Sequence, residues 1–235
     1  MEKSYPDLSD LEKNLGYSFK DLNKLYSALI HTSYANEHSR GRRIVRSNER
    51  IEFLGDSVLG LASSTYIYKN YPDMTEGRMS KLRASVVCES TLADIAVSIG
   101  LDRCLILGVG EDQSGGRAKA SILADAMESV FGAIYLDSGY ETAQSVVLKF
   151  IVPEILKRVD NFVLSDYKSS IQEICAKKHL RVSYSIVSES GPEHDRVFTA
   201  QAVISNGLSA FGEGRTKKDA EQIAASRLLK MFENK

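Results

Sequence analysis

Residues 48–56 read Asn48-Glu49-Arg50-Ile51-Glu52-Phe53-Leu54-Gly55-Asp56. They open a long predicted helix that runs from about Asn48 to Lys69 and ends before Pro72. Three acidic residues, Glu49, Glu52 and Asp56, follow one another at spacings of three and four, which places them within roughly 60° of arc on a helix. Their carboxylates therefore share one face.

A solvated acidic stripe is the ordinary explanation for such a face. The remainder of this helix is largely apolar, however, and includes Ile51, Leu54 and Val58. Like charges in apolar surroundings are unfavourable unless a cation accompanies them. The run therefore indicates either an exposed acidic stripe or a cation site.

A second apolar helix, predicted over residues 121–136, carries Asp125 and Glu128 on one face and has no Lys or Arg to pair with them. Carboxylates are rarely buried unless they are paired or bind a metal. Two acidic faces on two apolar helices predict a site for Mg²⁺, which prefers oxygen ligands and can activate water against a phosphodiester. Glu76 is a weaker candidate, because an acidic residue in a first helical turn also has a structural reason to be there.

Composition excludes several classes of protein. The chain has 235 residues, of which 43% are hydrophobic and 26% charged, as in folded proteins of one or two domains. Its net charge of −1 gives no bulk reason to expect a nucleic-acid partner. We expect no membrane span and no signal peptide, and three cysteines without C-x-x-C spacing predict a reduced, cytoplasmic setting.

The hydrophobic pattern changes along the chain. Helical spacing dominates the first part, including predicted helices over 121–136 and 140–158, whereas alternation with a period of two follows residue 180. We therefore predict an all-α domain over 1–158, a linker over 159–165, and a small α+β domain of order α-β-β-β-α over 166–235. Asn206-Gly207 predicts a type I′ hairpin turn in the second domain.

Other polar segments are assigned structural or binding roles. His31-Thr32-Ser33 is expected to hold a loop by hydrogen bonds, with action as a base the alternative. The glycine-containing segment 108–116 lacks the Gly-Lys-Ser/Thr of a phosphate-binding loop and is predicted to be a mobile, irregular loop. Arg117 and Lys119 beside it are candidates for contact with a phosphate backbone.

The last predicted helix opens with Thr216 as its cap, which places Lys217 and Lys218 in its first turn. Lysines there oppose the helix dipole, so phosphate contact explains them better than helix stability does, with a solvated helix start as the alternative. Gln172, Glu173 and His194 are further candidates for contact with a nucleic-acid duplex, and together these residues describe a surface that spans a duplex without reading its bases.

Four segments together resemble bacterial ribonuclease III. Residues 48–59 are similar to its signature, with Ile51 where Leu is usual. Supporting matches are His31-Thr32-Ser33-Tyr34, Glu76-Gly77-Arg78-Met79-Ser80 and Ser121-Ile122-Leu123-Ala124-Asp125-Ala126-Met127-Glu128. The last 70 residues resemble a double-stranded-RNA-binding domain.

The resemblance implies roles for individual residues. Glu52, Asp56, Asp125 and Glu128 would form an Mg²⁺ site in which Mn²⁺ can substitute, with Asp56 and Glu128 catalytic. Glu49 and Glu76 match two further carboxylates of the family. Phe53 matches a residue that packs into the partner subunit of a homodimer.

We therefore expect an Mg²⁺-dependent endoribonuclease that hydrolyses double-stranded RNA and leaves 5′-phosphate and 3′-hydroxyl ends. Ribosomal RNA precursors and messenger RNAs are the expected substrates, with no organic cofactor. Two alternatives stay open: a duplex-RNA-binding regulator without activity, and a helical metal-dependent phosphohydrolase that acts on small phosphate esters.

Overall fold

The computed structural model describes residues 8–39, 44–164, 167–192 and 196–233. The chain forms two compact units that divide between Lys157 and Arg158. The first unit is helical, and the second combines a three-stranded antiparallel sheet with two helices. The predicted fold class, an all-α domain followed by a small α+β domain, is confirmed.

The first unit is built from helices joined by short connections. They are α1 (Ser9–Leu15), α2 (Leu22–Ala28), α3 (Thr32–His38), α4 (Glu49–Asn70), α5 (Glu76–Val86), α6 (Glu89–Ser98), α7 (Leu101–Cys104), α8 (Val109–Gln113), a 3₁₀ turn (Gly116–Ala118) and the start of α9 (Ala120–Leu164). Its core contains Leu59 and Ile67 from α4 with Met127, Phe131 and Ile134 from α9, each at most 1% exposed. The helices that carry the predicted carboxylates thus run through the core.

Helix α9 contains both of the helices predicted over 121–136 and 140–158. They are separated by Gly139, whose φ of +80° and ψ of 179° are not helical. A positive φ of this kind suits glycine, because other residues carry a Cβ that disfavours it. Beyond Gly139 the helix continues to Leu164, so residues 159–164 of the predicted linker are helical.

One buried carboxylate ties the loop between α1 and α2 to α9. The side chain of Asp137 is inaccessible to solvent and accepts hydrogen bonds from Tyr17 Oη (2.6 Å), Lys24 Nζ (2.9 Å) and the backbone N–H groups of Lys20 (2.8 Å) and Asp21 (3.2 Å). Burial alone would raise the pKa of Asp137, but these donors outweigh it and hold the pKa well below its usual range.

We expect Asp137→Asn to destabilise the protein by about 3 kcal/mol, because the amide cannot accept from all four donors and leaves the Lys24 charge unpaired. This corresponds to a fall in Tm of roughly 6–12 °C. Since the folded pKa is depressed, the stabilisation by Asp137 is present above the unfolded value near 3.8 and is lost as the pH falls below it. Thermal melts of Asp137→Asn between pH 2 and pH 7 should therefore lack that acid-dependent loss. The exposed Asp94→Asn is the control, and equal Tm values for both variants would contradict the assignment.

The second unit packs two helices against one face of a sheet. Its elements are α10 (Tyr167–Lys177), β1 (Val182–Ser190), β2 (Val197–Ile204), β3 (Ser209–Gly214) and α11 (Lys217–Glu233), with strand order β1-β2-β3. Tyr184 pairs with Ala202, and Ala202 with Ala210. A Cβ on Gly212 would lie 2.2 Å from the backbone nitrogen of Ala224, so α11 rests directly on β3. The predicted α-β-β-β-α order is therefore correct.

The hairpin between β2 and β3 differs from the predicted type I′ turn. Gly207 has a φ of +87°, but Asn206 is not among the described residues with positive φ. The N–H of Ile204 donates to Leu208 O (2.8 Å), and the N–H of Gly207 donates to Ile204 O (2.9 Å). This is a three-residue loop with a left-handed glycine at its end, which the same dipeptide also favours.

Candidate carboxylate site and RNA-binding surface

Helix α4 presents its acidic residues from a firmly held N-terminus. Asn48, immediately before the helix, is 4% exposed, and its backbone oxygen accepts from the N–H of Glu52 (2.9 Å). The Glu52 side chain is half-buried, whereas Glu49 and Asp56 are exposed. The predicted acidic face therefore combines exposed carboxylates with a half-buried one.

Helix α9 crosses α4 at two glycines. A Cβ on Gly55 would lie 1.8 Å from Glu128 O, and one on Gly132 would lie 2.4 Å from Ile51 O. Only glycine allows such close backbone approach. Asp125 and Glu128 of α9 are half-buried, and the crossing brings their helix against the acidic face of α4.

The carboxyls of α4 and α9 act on one another electrostatically. Burial raises the pKa of Glu128 to about 7, assisted by the negative charges of Asp56, Glu52 and Asp125. Burial likewise raises the pKa of Glu52, with Asp125, Glu49 and Asp56 adding to the effect. The structure thus brings five predicted carboxylates, Glu49, Glu52, Asp56, Asp125 and Glu128, into one electrostatically coupled cluster, the α4–α9 cluster.

A sixth acidic residue joins this cluster without having been predicted. Burial raises the pKa of Asp125, and the next largest cause is the charge of Glu89 in the first turn of α6. The sequence signal for Glu89 is ambiguous, because a glutamate in a first helical turn is favoured by the helix dipole alone. His31 acts in the opposite direction and lowers the pKa of Asp125.

Glu76 lies apart from the α4–α9 cluster. It begins α5, is exposed, and accepts a hydrogen bond from Ser80 Oγ (2.8 Å). It lines a pocket with Tyr68, Met79 and Arg83, and none of the other predicted carboxylates lines that pocket. Glu76 is therefore not brought to the other carboxylates by the contacts described within one chain.

The donor set of the α4–α9 cluster suits a hard cation. Among the residues described, no three His, Cys, Asp or Glu side chains converge closely enough to hold an ion as they stand. Mg²⁺ does not require that, since it is commonly held by one or two carboxylates together with waters and substrate phosphates. Half-buried carboxyls with raised pKa values lack a compensating charge, and a divalent cation supplies one.

The segment after α7 forms α8 and the 3₁₀ turn, so the prediction that it is an irregular loop is wrong. Arg117 Nε donates to Asp112 Oδ1 (2.7 Å), and its Nη1 donates to Leu105 O (2.9 Å). Lys119 Nζ pairs with Glu111 Oε1 (2.6 Å). Both cations that were candidates for phosphate contact are engaged in holding this segment.

His31 and Ser33 hold the same segment from the other side, as predicted. Ser33 Oγ accepts from the N–H of Gly108 (2.9 Å) and also contacts His31 Nδ1 (2.8 Å). The carboxylate of Glu37 accepts from the N–H of Val109 (2.9 Å) at the start of α8. These contacts supply the capping that α8 itself lacks.

In the second unit, the predicted contact residues Gln172, Glu173, Lys217 and Lys218 are all exposed. Thr216 caps α11 by accepting from the N–H of Asp219 (3.1 Å), which leaves the two lysines in the first turn as expected. Lys217 Nζ lies 5.7 Å from the centroid of the Phe198 ring. His194 lies outside the described residues.

An apolar stripe on α4 faces solvent. Phe53 is 78% exposed, and Leu61 and Tyr68 are 55% and 71% exposed. Their spacings of eight and seven residues place them on one face of the helix. Large apolar side chains in this arrangement are typical of a protein interface.

Comparisons with known proteins agree on both units. The Ribonuclease-III-like family profile matches residues 21–155, and that of the double-stranded RNA binding motif matches residues 167–231. The chain is 43% identical over 229 residues to Ribonuclease 3 of Oceanobacillus iheyensis, which covers 97% of this chain and 99% of that one. It is 44% identical over 226 residues to Ribonuclease 3 of Caldanaerobacter subterraneus, covering 94% and 96% of the two chains.

Solved structures give the same result for the helical unit. The nuclease domain of ribonuclease III from Campylobacter jejuni, in a structure that describes flexibility in a region of dimer formation, superposes with a TM-score of 0.56 at 41% identity. It covers 62% of this chain and 96% of that domain. No described helix combines the length and apolar character that a membrane span requires. The chain belongs to the ribonuclease III family, and it is an endoribonuclease that acts on double-stranded RNA.

Proposed function

We propose that the enzyme is Mg²⁺-dependent and that Glu52, Asp56, Asp125 and Glu128 hold the metal, with Asp56 and Glu128 catalytic and Glu49 a further member of the cluster. The supporting observation is the set of mutually repelling carboxylates, in which Glu128 has a pKa of about 7. We assign catalysis to a domain over 1–158 and duplex binding to a domain over 166–235, with 159–165 between them. Mn²⁺ would serve in place of Mg²⁺ because it also accepts oxygen ligands.

The proposed reaction is hydrolysis of a phosphodiester. A water oxygen gives up a proton and bonds to phosphorus while the bond from phosphorus to the 3′ oxygen breaks. The departing 3′ oxygen takes up a proton, which leaves a 5′-phosphate and a 3′-hydroxyl. When bound, the metal supplies positive charge that stabilises the pentavalent arrangement and lowers the pKa of water. The half-buried carboxylates orient that charge, and the low exposure of Glu128 strengthens its electrostatic effect.

A gel assay on a long perfect RNA duplex tests this proposal. Duplex RNA is incubated with Mg²⁺ or with EDTA, beside single-stranded RNA of equal length. We expect cleavage of the duplex alone, only with metal, and 5′-phosphate ends on the products.

Two other outcomes would replace the proposal. Binding of the duplex without cleavage would indicate the inactive regulator. Turnover of a small phosphate monoester without action on the duplex would indicate the phosphohydrolase.

We further propose cytoplasmic action on ribosomal RNA precursors and messenger RNAs, whose folded stems present such duplexes.

Lys217 and Lys218 are proposed to bind phosphates together with the dipole of α11, beside contacts from Gln172, Glu173 and His194. Replacing both lysines by Ala should weaken binding to duplexes of any sequence and make the slope of log K against log salt shallower by about one to two. Fluorescence anisotropy at several salt concentrations measures the slope. The control is Lys177→Ala with Lys230→Ala, which removes the same charge elsewhere on the domain. An unchanged slope would place the phosphate contacts elsewhere.

We also propose that the enzyme is a homodimer in which Phe53 packs into the partner subunit. The support is the exposed stripe of Phe53, Leu61 and Tyr68 on α4. Two Phe53 side chains are buried per dimer, so Phe53→Ala should weaken dimerisation by at least about a hundredfold. Sedimentation equilibrium measures the dimer dissociation constant, with Val97→Ala, at another exposed apolar position, as control. A dimer unaffected by Phe53→Ala would contradict the placement of the interface.

A further inference from the structure

The side chain of Asn48 does not cap the helix that follows it. Asparagine before a helix normally caps it, yet Asn48 has helical backbone angles and makes no side-chain cap to α4. Its Nδ2 instead donates to Ala28 O (3.2 Å), and its N–H donates to Ile30 O (2.8 Å). The start of α4 is thereby attached to the end of α2 and to the residue before His31.

The backbone oxygen of Asn48 joins α4 to α9. It accepts from the N–H groups of Ile51 (2.7 Å) and Glu52 (2.9 Å), and also from the hydroxyl of Ser129 (3.4 Å). Ser129 is completely buried and directly follows Glu128. One oxygen atom therefore contacts the backbone that carries Glu52 and the side chain next to Glu128.

We propose that Asn48 and Ser129 are positioning residues, which fix how closely the backbones that carry the α4 and α9 carboxylates approach each other and thereby control the affinity of the site for a divalent cation. This rests on the proposed metal site. Neither side chain reaches the cation itself, because Asn48 is turned toward α2 and Ser129 is enclosed in the core. They act through Glu52 and Glu128, as outer partners of metal ligands commonly do.

A metal-binding measurement on the full chain, without RNA, tests the proposal. Mn²⁺ is titrated into wild type, Ser129→Ala and Asn48→Ala, and the free ion is followed by electron paramagnetic resonance. The control is Ser63→Ala on α4, because Ser63 is also completely buried and its hydroxyl has no hydrogen-bond partner among the residues described. Ser63→Ala therefore removes a buried serine hydroxyl, as Ser129→Ala does, but breaks no hydrogen bond to Asn48.

We expect Ser129→Ala to bind Mn²⁺ about fivefold more weakly and Asn48→Ala roughly tenfold or more weakly. The Mg²⁺ concentration for half-maximal cleavage should rise by similar factors, while kcat at saturating Mg²⁺ stays within about twofold. Ser63→Ala should bind as wild type. A purely structural role would lower Tm in EDTA and leave the metal affinity of the folded protein unchanged.

Two results would overturn the inference in different ways. If wild type binds Mn²⁺ and Ser129→Ala binds it equally well, the positioning role is wrong and the metal site stands. If wild type binds no Mn²⁺, the proposed metal site fails and this inference fails with it. Should Asn48→Ala not fold, Ser129→Ala still decides, since it removes a single long hydrogen bond.

Discussion

Glu128→Gln should abolish cleavage of duplex RNA, by roughly a thousandfold or more, which corresponds to about 4 kcal/mol of transition-state stabilisation. The amide keeps the size of the side chain but removes the charge that would hold the metal within the α4–α9 cluster. Affinity for the duplex in EDTA should be unchanged, because the proposed phosphate contacts lie in the other domain. Single-turnover cleavage and fluorescence anisotropy measure the two effects. Glu141→Gln, an exposed position on the same helix, is the control.

Although Glu128→Gln should lose activity, it should be more stable than wild type at high pH. The folded pKa of Glu128 is about 7, above its ordinary 4.5, so the folded state keeps a proton that the unfolded state releases between these values. The stability of the metal-free wild type therefore falls as the pH rises through this window. In EDTA at pH 8, Glu128→Gln should melt above wild type, and at pH 4.5 the two should coincide. Normal cleavage by Glu128→Gln, or a lower Tm at pH 8, would show the assignment to be wrong.

Gly55→Ala should have the largest effect on folding. Its new Cβ would lie 1.8 Å from the backbone oxygen of Glu128, and neither helix backbone can yield without moving the carboxylates that flank the crossing. We expect a loss of about 3 kcal/mol or more in the free energy of unfolding, together with weakened Mg²⁺-dependent cleavage.

Gly60→Ala is the matched control for that change. Gly60 lies on the same helix, and a Cβ there meets nothing within 4 Å. Ala is the better helix former, so we expect this variant to gain up to about 1 kcal/mol. Urea denaturation of both variants measures the difference. Equal stabilities would mean that the close contact between α4 and α9 is not part of the folded enzyme.

Periodicity predicted the features that depend on neighbouring residues. The common face of Glu49, Glu52 and Asp56 follows from helical spacing, and the cap by Thr216 follows from the residue type at a helix start. The residues that resemble ribonuclease III then identified the family, as the comparisons confirm. These signals are local or carried by motifs, so a single sequence suffices to see them.

Features that depend on distant contacts were not predictable. Nothing near Asn48 in the sequence indicates that its amide donates to Ala28 O. The residues around Gly132 likewise do not indicate its contact with Ile51. Arg117 was a candidate for phosphate contact because it is a basic residue beside a glycine-containing segment. Its partners, Asp112 and the carbonyl of Leu105, are evident only in the folded chain. Glu89 was missed because helix polarity explains a glutamate at that position equally well.

The break at Gly139 bears on how the enzyme opens locally. Fraying of a helix propagates along its ladder of hydrogen bonds, and the non-helical backbone of Gly139 interrupts the helix. Opening of the segment after Gly139 should therefore stop there and not reach Glu128, while the buried Asp137 fastens the preceding turn to the loop before α2. Amide protons before the break should accordingly exchange only with global unfolding, whereas fraying that begins at the C-terminal end of α9 should reach only amides that follow the break.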